Sequence, residues 1–138
     1  MKRRSVRTGR SRVGLTGPQS VELVARYIAA FNRGDVDAIL AFYHPRATME
    51  DPVGYKPAKG HAAIRGVYAG GFRQGVTLAL DGAVRAAAGA IAFPVAAQTA
   101  TAKLWSVNVF DLLDEGLIMR MRAYWGPSNV EGEISVRG

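Results

Sequence analysis

The chain has 138 residues, no cysteine and a formal net charge of +7, and 49% of its residues are hydrophobic. This length suits a single domain with its own core, while the lack of cysteine excludes a disulfide framework and a thiolate metal site. Its two histidines, His44 and His61, lack the spacing of a metal site, and no apolar run could span a bilayer. We therefore expect no metal, no cofactor and no membrane partner.

A block of basic residues opens the chain. Residues 1–15 contain six of the 18 lysines and arginines, which leaves 12 against all 11 acids in the rest. Because the block has almost no apolar residue, we predict a disordered basic tail over 1–15. No apolar segment follows Arg3-Arg4, so an export signal is not indicated and the sequence predicts a cytoplasmic protein. A solvated tail is the simpler interpretation, and we do not expect nucleic acid as a partner.

The first helix is predicted to begin at a capping box. Thr16 and Gln19 have the spacing of that box, and a proline lies between them in the first turn. Apolar residues then recur at helical spacing as far as Gly34, which can supply a left-handed stop. Tyr27 falls on this apolar stripe and should face inward, where packing in the core is the usual role of a tyrosine.

Two further helices are predicted before the main run of strands. Asp35 can cap a second helix over 36–43, which Pro45 would end. A third helix is predicted over 61–69, with Gly70-Gly71 as its exit.

The remaining sequence has the pattern of β-strands. We predict strands over 47–51, 76–86, 90–97, 103–113 and 117–125, with Asp114-Glu115-Gly116 as the last hairpin turn. Helices followed by an antiparallel sheet indicate the α+β class.

Alternation within the last two strands indicates which side chains share a face. In strand 103–113 one face carries Leu104, Ser106, Asn108, Phe110 and Leu112, and the other carries Trp105, Val107, Val109 and Leu113. Both faces are largely apolar, so we predict that the sheet is covered on both sides. In the last strand Met119, Met121, Ala123 and Trp125 share one face, while Arg120, Arg122 and Tyr124 point away.

Asp51 lies between an apolar segment and a proline. A proline bars the residue before it from helical angles, so the Asp51 carboxylate should leave a strand end in a set direction, as a group that transfers protons requires. The other interpretation is that Asp51-Pro52 only starts a turn, which is the commonest role of this dipeptide. The six residues around Asp51, 49–54, leave both interpretations open.

Five motifs taken together resemble one known family. They are the helix around Tyr27, Glu-Asp-Pro-Val-Gly at 50–54, the segment 62–68 that ends in Tyr68, Val-Asn-Val-Phe at 107–110 and Met-Arg-Ala-Tyr-Trp at 121–125. In this order they resemble the bacterial ketosteroid isomerases of the NTF2-like (SnoaL-like) superfamily. The resemblance predicts an NTF2-like domain over 16–130, followed by a flexible end over 131–138. It implies a cone of three N-terminal helices packed in a curved mixed or antiparallel sheet, and a homodimer.

The resemblance also implies a chemistry. In ketosteroid isomerases one aspartate moves a proton between two carbons of a 3-ketosteroid, and an oxyanion hole stabilises the dienolate formed in between. Matched motif by motif, Asp51 would be the general base and Tyr27 the principal oxyanion donor. Asn108 would be the second donor, at a position where the best-known members have a protonated aspartic acid. An amide donates without a raised pKa, but it is a weaker acid, so its hydrogen bond should stabilise the oxyanion less.

The resemblance further assigns a wall for a small apolar, steroid-like substrate. Its substrate-binding residues would be Tyr43, Tyr68, Trp125, Met121 and Phe93. Each of these side chains could equally belong to an ordinary core. Three hypotheses stay open: a steroid Δ-isomerase, another pocket enzyme that uses Asp51 (a polyketide cyclase, dehydratase or epoxide hydrolase), and a ligand-binding module without catalysis.

Overall fold

The computed structural model describes residues 14–133, and these form three helices and a sheet. The helices are α1 (Gly17–Asn32), α2 (Val36–Leu40) and α3 (Gly60–Arg73). The strands are β1 (Tyr43–Glu50), β2 (Ala58–Lys59), β3 (Thr77–Leu80), β4 (Arg85–Ala87), β5 (Ala90–Gln98), β6 (Ala102–Leu112), β7 (Ile118–Tyr124) and β8 (Val130–Gly132). The predicted α+β class is confirmed.

One mixed sheet contains all eight of these strands. Its order is β2-β1-β7-β6-β5-β3, while β4 also pairs with β5 and β8 also pairs with β6. Strands β1 and β7 are parallel, and the other pairs are antiparallel. Among the helices of residues 14–133, none has the length and hydropathy needed to cross a membrane.

Helix α1 begins as its sequence predicts. The Gln19 N–H donates to the Thr16 hydroxyl, and the Gln19 side chain accepts from the Thr16 N–H. The helix buries Val24, Tyr27 and Phe31, which confirms the inward stripe. Gly34, with φ of +70°, turns the chain toward α2.

The predicted second helix over 36–43 is three residues too long. Helix α2 ends at Leu40, and Tyr43 begins strand β1 instead of closing the helix. The Ile118 N–H donates to the Phe42 carbonyl, and Tyr43 pairs with Ile118, so sheet pairing takes these residues from the helix. Pro45 lies where the β1–β7 register shifts, an irregularity that tolerates a missing amide hydrogen.

The predicted third helix over 61–69 is too short. Helix α3 continues through Gly70-Gly71 to Arg73, and the left-handed turn comes at Gly75, with φ of +75°. Glycine inside a helix costs up to about 1 kcal/mol relative to alanine. Packing offsets this cost, since the Phe72 ring contacts that of Phe31 with centroids 5.1 Å apart.

The single strand predicted over 76–86 is divided in two. Strands β3 and β4 pair with opposite ends of β5, and the break between them lies opposite Pro94. Proline has no amide hydrogen for a ladder, and here its carbonyl accepts from the Asp81 N–H.

The alternation predicted for β6 is confirmed, whereas one residue of β7 is displaced. Ser106, Asn108 and Phe110 are buried on the inner face of β6, and Val107 on the outer face is 44% exposed. In β7 a register shift near its start buries Ile118 fully and leaves Met119 half-buried. Met119 therefore does not share the inner face as predicted, because the extra residue of the irregularity changes the alternation.

Both predicted domain edges extend slightly in the structure. Leu15, assigned to the basic tail, packs against the core and approaches Gly116. Strand β8 carries the sheet to Gly132, two residues past the predicted domain end. The rest of the predicted tail, 1–13, and residues 134–138 of the predicted flexible end lie outside the described residues.

Candidate active site

A cavity of about 540 Å³ opens between the helices and the inner face of the sheet. Its volume falls within the range of small-molecule sites, roughly 300–1,000 Å³. Among the residues that line it are Tyr27, Phe31, Asp51, Tyr68, Val95, Leu104, Ser106, Asn108, Met121 and Trp125. Within residues 14–133, no group of three or more His, Asp or Glu side chains is placed to hold a metal ion.

Three buried tyrosines are connected by hydrogen bonds beneath this cavity. The Tyr68 hydroxyl lies 2.8 Å from that of Tyr27 and 2.6 Å from that of Tyr43. Each hydroxyl has one hydrogen to donate. If Tyr43 donates to Tyr68 and Tyr68 donates to Tyr27, the Tyr27 hydrogen is left for an acceptor in the cavity.

Burial keeps the three tyrosines protonated. It raises the pKa of Tyr27, Tyr43 and Tyr68 well above the usual tyrosine value of about 10. The negative charge of Asp51 adds to the rise in pKa for Tyr27 and Tyr43. At neutral pH the group that faces the cavity at Tyr27 is therefore a neutral donor.

Aromatic rings fix the position of Tyr27. Its ring contacts that of Phe110 edge to face at 5.1 Å and that of Phe93 at 6.3 Å. Both phenylalanines are fully buried in β5 and β6. Since close-packed rings of this kind restrict rotation, the Tyr27 hydroxyl is held at one place on the cavity wall.

Asp51 follows the end of β1 and reaches the same cavity. Beyond Pro52, whose bond to Asp51 is cis, the Val53 N–H donates to the Ala123 carbonyl and attaches the segment to β7. The Trp125 indole Nε1–H donates to Asp51 Oδ1 at 2.8 Å. This hydrogen bond orients the carboxylate, so Asp51 does more than start a turn.

Asn108 lies on the inner face of β6 and is 5% exposed. The Ser106 hydroxyl donates to Asn108 Oδ1 at 2.8 Å. With its oxygen engaged, the Asn108 amide has its N–H bonds left to donate into the cavity. Ser106 was not among the predicted site residues, although its position two residues before Asn108 on the same face is the signal that identifies it.

The structure brings together most of the predicted site. Tyr27, Asp51 and Asn108 line the cavity, with Tyr68, Met121 and Trp125. The other two predicted substrate contacts, Tyr43 and Phe93, lie behind this wall: among the described residues that line the cavity, neither is present. Tyr43 contacts the lining residue Tyr68 through a hydrogen bond, and the Phe93 ring packs on Tyr27.

Removing the central hydroxyl should destabilise the fold. We expect Tyr68→Phe to lower the free energy of unfolding by about 1–3 kcal/mol, since it leaves two buried hydroxyls short of a partner. Urea unfolding followed by circular dichroism measures this change. Tyr55→Phe is the matched control, because Tyr55 is 40% exposed and should change stability little. Equal stability of the two variants would show that the buried hydroxyls do not depend on Tyr68.

Comparisons with known proteins agree with this architecture. The family described as "SnoaL-like domain" matches residues 24–121. The "Steroid Delta-isomerase" of Nocardioides simplex is 40% identical over 112 residues, which are 78% of this chain and 89% of that protein. The "Epoxide hydrolase LasB" of Streptomyces lasalocidi is 28% identical over 114 residues, which are 76% of this chain and 40% of that protein.

A solved structure gives the same result for the fold. The enzyme described under "Intriguing role of epoxide hydrolase/cyclase-like enzyme SalBIII in pyran ring formation in polyether salinomycin" superposes with a TM-score of 0.78 at 33% identity. The match covers 84% of this chain and 97% of that one. Together with the residues of the cavity, these matches confirm the predicted NTF2-like fold, and the chain belongs to the SnoaL-like family.

Proposed function

We propose that this protein is a steroid Δ-isomerase that converts a Δ5-3-ketosteroid to its conjugated Δ4 isomer. The observation that carries the proposal is the meeting of one carboxylate, Asp51, with two neutral donors, Tyr27 and Asn108, in one largely apolar cavity. The 40% identity to the Nocardioides simplex isomerase over most of both chains supports it.

Asp51 would carry the proton. A carboxylate held by the Trp125 indole can take a proton from the carbon next to the ketone and return it to the far end of the dienolate. Both carbons belong to one rigid ring system, so a single oriented carboxylate can serve as base and then as acid. No second titratable group is needed for the reaction to balance.

Tyr27 and Asn108 would stabilise the charge that develops on the ketone oxygen. Donors placed in advance inside a cavity that excludes water are the largest source of such stabilisation. Behind Tyr27, the Tyr68 and Tyr43 hydroxyls can each donate toward the next, so the charge on the oxygen is shared along the chain of hydrogen bonds.

The direct assay follows the absorbance of the conjugated enone. Wild-type protein should convert 5-androstene-3,17-dione to the Δ4 product faster than buffer alone. Wild-type protein that leaves the substrate unchanged, although it is folded, would contradict the proposal.

The strength of the hydrogen bond donated from position 108 should affect the turnover of this isomerase. Asn108→Ala should lower turnover, by at most the roughly 10²–10³-fold seen for one oxyanion donor. Asn108→Asp should raise turnover at neutral pH, because burial would raise the pKa of the new carboxyl group and keep it protonated as a stronger donor. This gain should disappear at high pH as the group ionises. The measurement is a pH–rate profile of the three proteins, and superimposable profiles would show that Asn108 is structural.

A second candidate function is the opening of an epoxide. The relatives LasB and SalBIII favour it, since both are described as epoxide hydrolase or cyclase-like enzymes. Among the described residues that line the cavity, however, Asp51 is the single carboxylate. Opening of an epoxide by a pair of carboxylates, one as acid and one as base, therefore lacks its second group here, whereas the isomerase needs one carboxylate. Incubation with a terminal epoxide, followed by detection of a diol, separates the two.

We also propose a homodimer through the outer face of the sheet. Val107 and Tyr124 are 44% and 45% exposed there, and Val109 and Trp105 are half-buried beside them. An apolar patch of this kind on a central strand is typical of an interface. Sedimentation of the wild-type protein and of its Val107→Glu variant tests whether this patch forms the dimer interface.

The cytoplasmic location stays a prediction from the sequence.

A further inference from the structure

The far end of the cavity from Asn108 is polar. There the last turn of α3 and the hairpin between β5 and β6 contribute Arg73, Gln74, Gln98 and Thr99 to the wall. Between the two ends the lining is mostly apolar, with Val95, Ala97 and Leu104 on the sheet and Val67 on the helix.

The strand register gives the separation of these ends. Across β5 and β6, Asn108 pairs with Phe93 and Lys103 pairs with Gln98. Five residues of strand at about 3.3 Å each place Gln98 about 16 Å from the level of Asn108. Such a span suits a rigid fused-ring ligand with a polar group at each end.

Arg73 gives the far end a positive charge. Among the described lining residues, Asp51 is the single carboxylate and Arg73 the single guanidinium group. Arg73 comes four residues before Thr77, which pairs with Gln98. Asp51 instead contacts Trp125, two residues past the strand partner of Asn108. Arg73 Nη2 lies 3.7 Å from where a Cβ on Gly70 would stand, so the guanidinium folds back over that glycine at the cavity wall. Within residues 14–133, no acidic side chain forms an ion pair with Arg73.

We propose that Arg73, together with Gln98 at the same end of the cavity, forms a subsite for an anionic group at the end of the substrate remote from the ketone, such as a ring carboxylate. This inference rests on the proposed isomerase function and names its substrate class. The anionic group of the substrate is attracted to Arg73 and repelled by Asp51, and the two forces act in the same direction. Both orient an anionic ketosteroid with its ketone toward Tyr27 and Asn108.

Binding of two stable product analogues tests this subsite without turnover. The probes are 4-androstene-3,17-dione, which is neutral, and 3-oxo-4-androstene-17β-carboxylate, which is anionic. We expect Arg73→Gln to weaken binding of the carboxylate, relative to binding of the dione, by about fivefold, as for the loss of an exposed ion pair. Arg73→Lys should retain most of the preference. Arg65→Gln is the matched control, because Arg65 lies on the same helix, pairs with Asp37 at 2.7 Å and does not line the cavity.

Salt provides a second readout. The preference of the wild-type protein for the carboxylate should decrease when NaCl is raised from about 0.01 M to about 1 M. Salt screens the attraction between exposed charges. Equal carboxylate-to-dione ratios for Arg73→Gln and Arg65→Gln, or a salt-independent preference, would overturn the subsite. Isomerisation of the dione substrate is measured in parallel. Turnover without charge discrimination would remove the subsite and keep the isomerase, whereas discrimination without turnover would keep the subsite and remove the isomerase.

Discussion

Asp51→Asn should reduce turnover of 5-androstene-3,17-dione by roughly 10²–10⁴-fold, the range typical of a lost general base. Asparagine has nearly the same shape and can still accept from the Trp125 indole. It cannot take up a proton, so the loss should appear in turnover while the unfolding transition stays near that of wild type. The measurement is the initial rate of enone formation.

The neighbouring carboxylate offers a matched control. Glu50 is the last residue of β1, its side chain is 20% exposed, and it lies 3.4 Å from Arg120. It does not line the cavity, so Glu50→Gln should keep full turnover. Full activity in Asp51→Asn, or an equal loss in both variants, would remove Asp51 from the base role.

Tyr27→Phe should lower turnover by about 10²–10³-fold, because it removes one preorganised donor to the dienolate oxygen. The substitution keeps the ring and its contacts with Phe110 and Phe93. Tyr55→Phe, a change of the same atoms at an exposed site, should leave turnover unchanged. A Tyr27→Phe enzyme as fast as wild type would show that the ketone oxygen does not accept a catalytically important hydrogen bond from Tyr27.

The raised tyrosine pKa values also predict a pH dependence. Tyr27 should remain a donor past pH 10, so its ionisation should not reduce turnover below that pH. The same shift stabilises the folded state fully below the unfolded value of about 10. That stability is lost as the pH rises through the folded pKa values. Unfolding measured from pH 8 to pH 11 should show stability falling at the alkaline end; a rise there would contradict the assignment.

Local signals in the sequence predicted the parts of the fold that local chemistry decides. The Thr16–Gln19 capping box set the start of α1, and strict alternation around Asn108 set the inner face of β6. The errors have a common cause. Tyr43 left its predicted helix because β7 pairs with it, and Gly70-Gly71 stayed helical because Phe72 packs on Phe31. Pairing and packing between distant segments override propensity.

The candidate site divides in the same way. Asp51, Tyr27 and Asn108 could be predicted because they fall in motifs that resemble a family, and the structure places all three on one cavity. The subsite at Arg73 could not, because it depends on the pairing of β3 with β5, which brings the chain that follows α3 to Gln98. No spacing along the chain encodes that contact.

Transfer of an isotope label tests the central claim most directly. A 5-androstene-3,17-dione deuterated at C4, the carbon between the ketone and the double bond, is converted by wild-type protein in ordinary water. If Asp51 carries one proton from C4 to C6 inside the cavity, mass and NMR spectra of the product should show a substantial share of the deuterium at C6. Product whose C6 hydrogen comes from solvent alone would contradict transfer by a single carboxylate.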